Sequence, residues 1–341
     1  LLLLIAGADL LVRAAVALAA RWGVRPLIVG LTVMAFGSSL PQLVIGVQAA
    51  WSGAPDIAVG SVIGSNTFSL LATLGCSALI IPLRVSRPLV RLDIPLMLGA
   101  SLLLWLLALN QQLGRLEGCL LLAGLGLYLW LVRRQARRSA RPLGIPRASR
   151  RPWGMSLGLM LAGLALLAGG AHLVLGAAIA VALDYGLSDR IIGLTIVAVG
   201  SSMPGLATSL IAAWRGHREL AVGNVVGGNL CNLLGVLGLT ALIAPQPLSV
   251  SPNALAFDLP VMVAVAALCL PLFYSGYRVS RGEGLMLLAL YLAYALHVLA
   301  FATGLPLADD IGALMRWVLP VLAIAVLARA LRAWRRQRNV P

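Results

Sequence analysis

Lysine is absent from the 341 residues, and only 11 acidic side chains stand against 26 arginines. Charged residues make up 11% of the chain and hydrophobic ones 60%, with a mean hydropathy of +0.97. A soluble domain carries about 25% charged and about 45–50% apolar residues. This shortage of charge excludes an ordinary soluble enzyme and a disordered chain. Cysteine is scarce as well. Cys76, Cys119, Cys231 and Cys269 lie in apolar runs, with no CxxC and no histidine pairing. Neither a zinc site nor a disulfide framework is implied, and the four read as small packing residues. His217 and His297 lack metal-ligand spacing. No cofactor is called for.

Long apolar runs are what the chain has in quantity. A spanning helix needs roughly 20 mainly apolar residues. Runs separated by Arg, Pro or Gly clusters predict spans near 1–20, 27–50, 57–82, 92–109, 116–132, 155–183, 189–213, 220–245, 255–274, 283–302 and 312–331. The last is interrupted by Arg316 and Pro320. The expected class is an all-α polytopic membrane protein. The chain opens at Leu1, as expected of a fragment or a processed chain, and its first apolar run is too long for a signal peptide and lacks a small-residue cleavage site.

The net charge of +15 would suggest nucleic acid in a soluble protein. Here it reads as a topology label. With residue 1 outside, alternation places 22 of the 26 arginines in loops on one side, and Arg115, Arg190 and Arg316 on the other. Cytoplasmic loops are enriched in Arg and Lys, so the N-terminus is expected outside and the C-terminus in the cytoplasm of a cell membrane. The partners are then the bilayer and small solutes, with no nucleic acid; the oligomeric state is left open.

The two halves repeat each other. Gly30-Leu31-Thr32-Val33 recurs as Gly193-Leu194-Thr195-Ile196, an offset of 163. That offset also carries Gly37 to Gly200, Ser38-Ser39 to Ser201-Ser202, Pro41 to Pro204, Gly60 to Gly223, Gly64 to Gly227, Asn66 to Asn229 and Gly75 to Gly238. With a small drift, Asp93-Ile94-Pro95 matches Asp258-Leu259-Pro260, and Glu117 with Tyr128 matches Glu283 with Tyr294. The division is residues 1–132 as a first five-helix repeat, 133–153 as an Arg-rich cytoplasmic linker, 154–302 as a second repeat, and 303–341 as an eleventh helix with a basic tail. Five spans per repeat invert the second copy. Inverted repeats with Gly/Pro-interrupted helices mark secondary transporters, whose site lies at the midplane between the repeats.

Two paired segments carry polar residues inside the spans. The first is Gly37-Ser38-Ser39-Leu40-Pro41-Gln42 with its twin Gly200-Ser201-Ser202-Met203-Pro204-Gly205. Proline within a helix frees a carbonyl. Carbonyls near Ala35 and Ala198, with the four serine hydroxyls, could replace the water shell of a hard cation; back-bonding of those hydroxyls is the bland reading. The second pair is Gly60 through Ser69 and Gly223 through Asn232. GxxxG packing explains its glycines. Its Asn and Ser residues should face the repeat interface, either bonding across helices or coordinating a substrate.

These segments resemble the two α-repeats of the sodium/calcium exchanger family, within the calcium/cation antiporters. The phrase from Gly30 to Pro41 and Asp56-Ile57-Ala58-Val59-Gly60, echoed by Glu219-Leu220-Ala221-Val222-Gly223, carry the resemblance. It implies the exchanger fold, with Na and/or Ca bound between the second and third helices of each repeat. By family position the ion ligands would be Ala35, Ser38, Ser39, Gln42, Ser65, Ser69, Ala198, Ser201, Ser202, Gly205, Gly228 and Asn232. The family pattern has glutamate after each Leu-Pro pair, where this chain has Gln42 and Gly205. It has Asn or Asp where Ser69 and Asn232 stand, and Gly228 replaces the twin of Ser65. A central site without carboxylates should hold calcium poorly, whereas sodium held by neutral oxygens fits.

The expectation is a secondary cation transporter with altered selectivity or affinity, working by alternating access. The alternative is a transport-inactive paralogue serving as a membrane scaffold or regulatory subunit. An intramembrane enzyme would need a clustered nucleophile and base, and only Asp9 with its twin His172 comes near. Asp9 is also placed to pair with Arg13. Asp93, Asp258, Glu117 and Glu283 open matching spans, where acids complement the positive helix end.

Overall fold

The computed structural model describes residues 1–139, 153–184, 196–274 and 276–338. Those residues form eleven helices and four two-residue strands. The first half holds α1 (Leu2–Trp22), α2 (Pro26–Trp51), α3 (Pro55–Ile80), α4 (Leu89–Asn110) and α5 (Arg115–Ser139). The second holds α6 (Trp153–Asp184), α7 (Ala198–Trp214), α8 (Arg218–Ile243), α9 (Ala254–Tyr274) and α10 (Arg281–Thr303), and α11 (Leu307–Arg338) follows. Nine of these, all but α7 and α11, are long and apolar enough to cross a membrane. Most of the linker, and the start of the seventh expected span, lie outside the described residues.

The helix ends follow local chemistry. Pro26 and Pro55 open α2 and α3 at positions whose N–H would be unpaired anyway. Gly23 and Gly304 stop α1 and α10 in the left-handed conformation, at φ 63° and 70°. Ser280 and Glu283 form a reciprocal capping box at the start of α10. α5 runs on to Ser139, so Arg133, Arg134 and Arg137 ride on the helix rather than in a loop.

The strands fix which loops share a side. β1 (Leu83–Arg84) pairs antiparallel with β4 (Arg278–Val279), joining the loop after α3 to the loop after α9. β2 (Gln112–Leu113) pairs with β3 (Leu248–Ser249), joining the loop after α4 to the loop after α8. Each loop thus meets its counterpart's opposite number in the other repeat, which is the arrangement of an inverted repeat. The α3–α4 and α9–α10 loops lie on one side, and the α4–α5 and α8–α9 loops on the other, once the intervening helices each cross.

Burial identifies the centre. In α3 and α8, 78% and 72% of the most apolar window is buried, against 17% in α6 and 22% in α5. α3 and α8 therefore form the core, and much of the remaining helical surface is left for lipid. α2 and α8 approach closely: a Cβ on Gly227 would fall 2.6 Å from the Leu31 carbonyl oxygen. α1 and α6 make a second close approach, where a Cβ on Gly7 would meet the Gly163 oxygen at 2.8 Å.

Candidate functional site

Several helices widen as they pass the centre. Turns of π type cover Gly30–Met34 in α2, Ser69–Thr73 in α3 and Cys231–Val236 in α8. Two more, Leu89–Asp93 and Ala254–Asp258, open α4 and α9. Such turns insert a residue, rotate the following side chains and recur at functional sites. α2 does not break at Pro41, nor α7 at Pro204; both prolines sit inside continuous helix. The Ala35 carbonyl is not left free, because Ser38 Oγ donates to it at 3.1 Å. The side chain of Ala198 lies outside the described residues.

Between α2, α3, α7 and α8 lies a polar cavity of about 20 Å³. It is lined by Ser38, Ser39, Gln42, Ser65, Ser69, Thr73, Ser201, Ser202, Gly205, Asn224, Val225, Gly228 and Asn232. Ten of the twelve positions expected from sequence come together there. Thr73 and Val225 join them unannounced, and Asn224 joins them from the segment whose Asn and Ser residues are expected at the repeat interface. No Asp or Glu is among these lining residues, and among the described residues no cluster of His, Cys, Asp and Glu forms a metal-binding group. A site of roughly 10–15 Å³ holds one water, so this one has room for about one bare cation.

The amides in and beside this cavity bond through their nitrogens to accepting groups. Gln42 Nε2 donates to Ser61 Oγ at 2.8 Å, while that hydroxyl gives its own proton to the Ala58 carbonyl at 3.1 Å. Asn224 Nδ2 lies 3.3 Å from the Gly205 carbonyl oxygen and 2.9 Å from both Thr208 Oγ1 and Ser209 Oγ. Asn66 Nδ2 donates to the Asn229 carbonyl, and Asn229 Nδ2 returns the bond to the Asn66 carbonyl. That fixes Asn66 Oδ1 as the acceptor for Asn232 Nδ2 at 3.0 Å. Gln42, Asn224 and Asn232 are thus held by their nitrogen ends, so their carbonyl oxygens are the groups left to act. Gln42 Oε1 and Asn232 Oδ1 are buried with no partner among the described residues, as is Thr73 Oγ1. Ser202 Oγ donates to Ser65 Oγ at 2.7 Å, joining the two repeats across the cavity. An unpaired amide oxygen in such surroundings is costly, and a cation or a hydrogen-bond donor in the cavity would offset the cost.

The remaining polar residues serve elsewhere. Asp9 pairs with Arg13 at 2.8 Å and with Arg215, which caps α7, while His172 is exposed on α6. Asp9 and His172 therefore form no relay in this arrangement. Asp258 accepts from the Tyr294 hydroxyl at 3.0 Å. Asp93 is fully buried, and neither of its oxygens has a partner among the described residues. Glu117 accepts from the Gly114 N–H at 2.9 Å, in keeping with a helix-start role. Cys231 and Cys269 are buried, Cys119 is exposed, and all four cysteines are free.

Comparison with known proteins agrees with this architecture. The profile of the family described as "Sodium/calcium exchanger protein" matches residues 1–133 and 155–300. A putative antiporter, CaxA, of Alkalimonas amylolytica is 38% identical over 304 residues, covering 86% of this chain and 94% of its own. Inner membrane protein YrbG of Escherichia coli K12 is 34% identical, covering 84% of this chain and 90% of its own. The solved structure of the sodium-calcium exchanger NCX_Mj soaked with Na+ and Ca2+ superposes with a TM-score of 0.73 at 30% identity, covering 85% of this chain and 93% of that one.

Proposed function

Given that the chain belongs to the sodium/calcium exchanger family, we propose that it is a membrane cation antiporter whose central cavity takes a bare monovalent cation, sodium first, and takes calcium weakly. The observation that carries this reading is the cavity wall: neutral hydroxyls and three amides anchored by their nitrogens, with no carboxylate among its lining residues. Calcium binds through six to eight oxygens, and its affinity follows the number of charged ligands. A divalent ion left uncompensated near the bilayer centre is disfavoured more than a monovalent one, because solvation energy rises with the square of the charge. With room for about one ion, exchange proceeds by competition of two cations for the same cavity, exposed in turn to each side as the inverted repeats rock against each other. The ion ligands in this reading are Ser38, Ser39, Gln42, Ser65, Ser69, Ser201, Ser202 and Asn232, with Gly205 and Gly228 leaving space beside them.

The same reading places the protein in the cell membrane, an inner membrane as in the YrbG relative's name. The N-terminus lies outside and the arginine-rich loops in the cytoplasm. The test is flux in proteoliposomes under imposed gradients of sodium, calcium, potassium and protons. Sodium movement with slow calcium uptake is expected. Fast calcium uptake by the unmodified protein would sink the proposal. A well-folded protein that moves none of the four would instead favour the scaffold or regulatory alternative.

A further inference from the structure

We propose that Asn224 is a selectivity-determining ligand of the cavity, supplying from α8 the amide oxygen that Gly205 cannot supply from α7. This rests on the reading of the cavity as a cation site. The repeat offset makes Gln42 the twin of Gly205, and Ser61 the twin of Asn224. Each repeat thus has one amide and one smaller residue at these two positions, but in opposite places. In the first repeat the amide stands on α2 and bonds to the small residue of α3. In the second it stands on α8 and bonds to the small residue of α7, through the Gly205 carbonyl. Among the described residues a Cβ on Gly205 would meet nothing within 4 Å, so the space beside that glycine is open.

The far end of Asn224 carries the argument further. Its Oδ1 faces Ser38 Oγ at 3.4 Å. Ser38 has a single hydroxyl proton and a nearer acceptor, the Ala35 carbonyl at 3.1 Å. With the proton there, two oxygen lone-pair faces point at each other at 3.4 Å, a spacing that suits a cation held by both. Oxygens at about 2.4 Å from a hard cation, set at right angles, stand about 3.4 Å apart. Asn224 is only 2% exposed, and three acceptors hold its nitrogen. Its oxygen is therefore fixed in place before any ion arrives.

The experiment reads sodium-dependent thermal stabilisation of the purified full chain in detergent, with choline replacing sodium as the baseline. It compares Gln42→Met, Asn224→Ser, and Asn224→Ser combined with Gly205→Gln, each checked for a monodisperse folded state. Asn224→Ser should raise the half-saturating sodium concentration at least tenfold. Adding Gly205→Gln should recover most of that loss, by rebuilding in the second repeat the amide placement of the first. Asn224→Asp, which keeps the oxygen and adds charge, should make calcium stabilise the protein at concentrations at least tenfold lower than in the unmodified chain. If Gln42→Met weakens sodium binding but Asn224→Ser does not, Asn224 is no ligand while the cavity reading stands. Loss without rescue, together with no calcium response in Asn224→Asp, would make Asn224 a packing residue and overturn the proposal. If Gln42→Met is also without effect, the cavity reading itself falls.

Discussion

Replacing Gln42 by Glu tests the charge argument with the least disturbance. The two side chains have nearly the same shape, and the Ser61 hydroxyl that now accepts from Gln42 can turn its proton from the Ala58 carbonyl to the new carboxylate. A space of 20 Å³ has a radius of about 1.7 Å, so an ion in oxygen contact stays within about 4 Å of that carboxylate. One unit charge at about 4 Å contributes about 4 kcal/mol at an effective dielectric constant of 20. Sodium gains that amount once and calcium twice. The cost of burying the carboxylate is common to both ions and drops out of their ratio. Preference should therefore shift toward calcium by about 4 kcal/mol, roughly a thousandfold. The assay is calcium uptake into proteoliposomes driven by an outward sodium gradient, with half-saturating calcium and sodium measured for both proteins. Gln42→Glu combined with Gly205→Glu should take up calcium faster still. A ratio of affinities that moves by less than tenfold in Gln42→Glu would refute the claim that position 42 faces the transported ion.

Other features make separate predictions. Gly7→Val should lower the melting temperature in detergent, because its Cβ meets backbone atoms of Gly163 and Leu167 at 2.8 Å and overpacking costs about 1–3 kcal/mol; unchanged stability would mean that α1 and α6 do not meet there. Single cysteines replacing Arg84 and Arg278 in a cysteine-free background should label from one side of the membrane, and those replacing Gln112 and Ser249 from the other; a pair split between sides would break the inverted topology. Burial, helped by the Arg215 charge, holds His217 below its usual value of 6.5. The unfolded chain then takes up that proton first, so stability should fall as pH drops below about 6.5 and His217→Gln should flatten the fall. Identical melting profiles for the two proteins between pH 7.5 and 5 would contradict that reasoning.

The helices and their pairing into repeats were legible because both are written in single residues at fixed intervals: apolar runs, arginine loops and the 163-residue offset from Gly30 to Asn66. The polar positions were legible for the same reason, since a serine or an asparagine stands out in an apolar run. Asn224 reads from sequence only as one of several polar residues facing the repeat interface, although it is the twin of Ser61 and so sits in a position marked polar twice. Its role appears only when its amide is seen to bond the Gly205 carbonyl with its oxygen facing Ser38. Thr73 was hidden because the π turn at Ser69–Thr73 rotates it into the cavity, and a wide turn has no residue signature. Pro41 suggested a broken helix, yet the helix continues through it from Ala35 to Trp51. The strand pairings are two residues long and were beyond any pattern in the sequence.

Those short pairings bear on how the protein is made. β1 and β2 leave the ribosome early, yet each can close only on a segment more than a hundred residues later, β4 and β3 respectively. Gly30 and Leu31 likewise wait for Leu220 and Gly227. The first half therefore cannot finish its own structure during synthesis. Its polar helices must remain in the membrane with open faces until the second half arrives to close them. The polar centre can therefore form only once α8, in the second half, has been made.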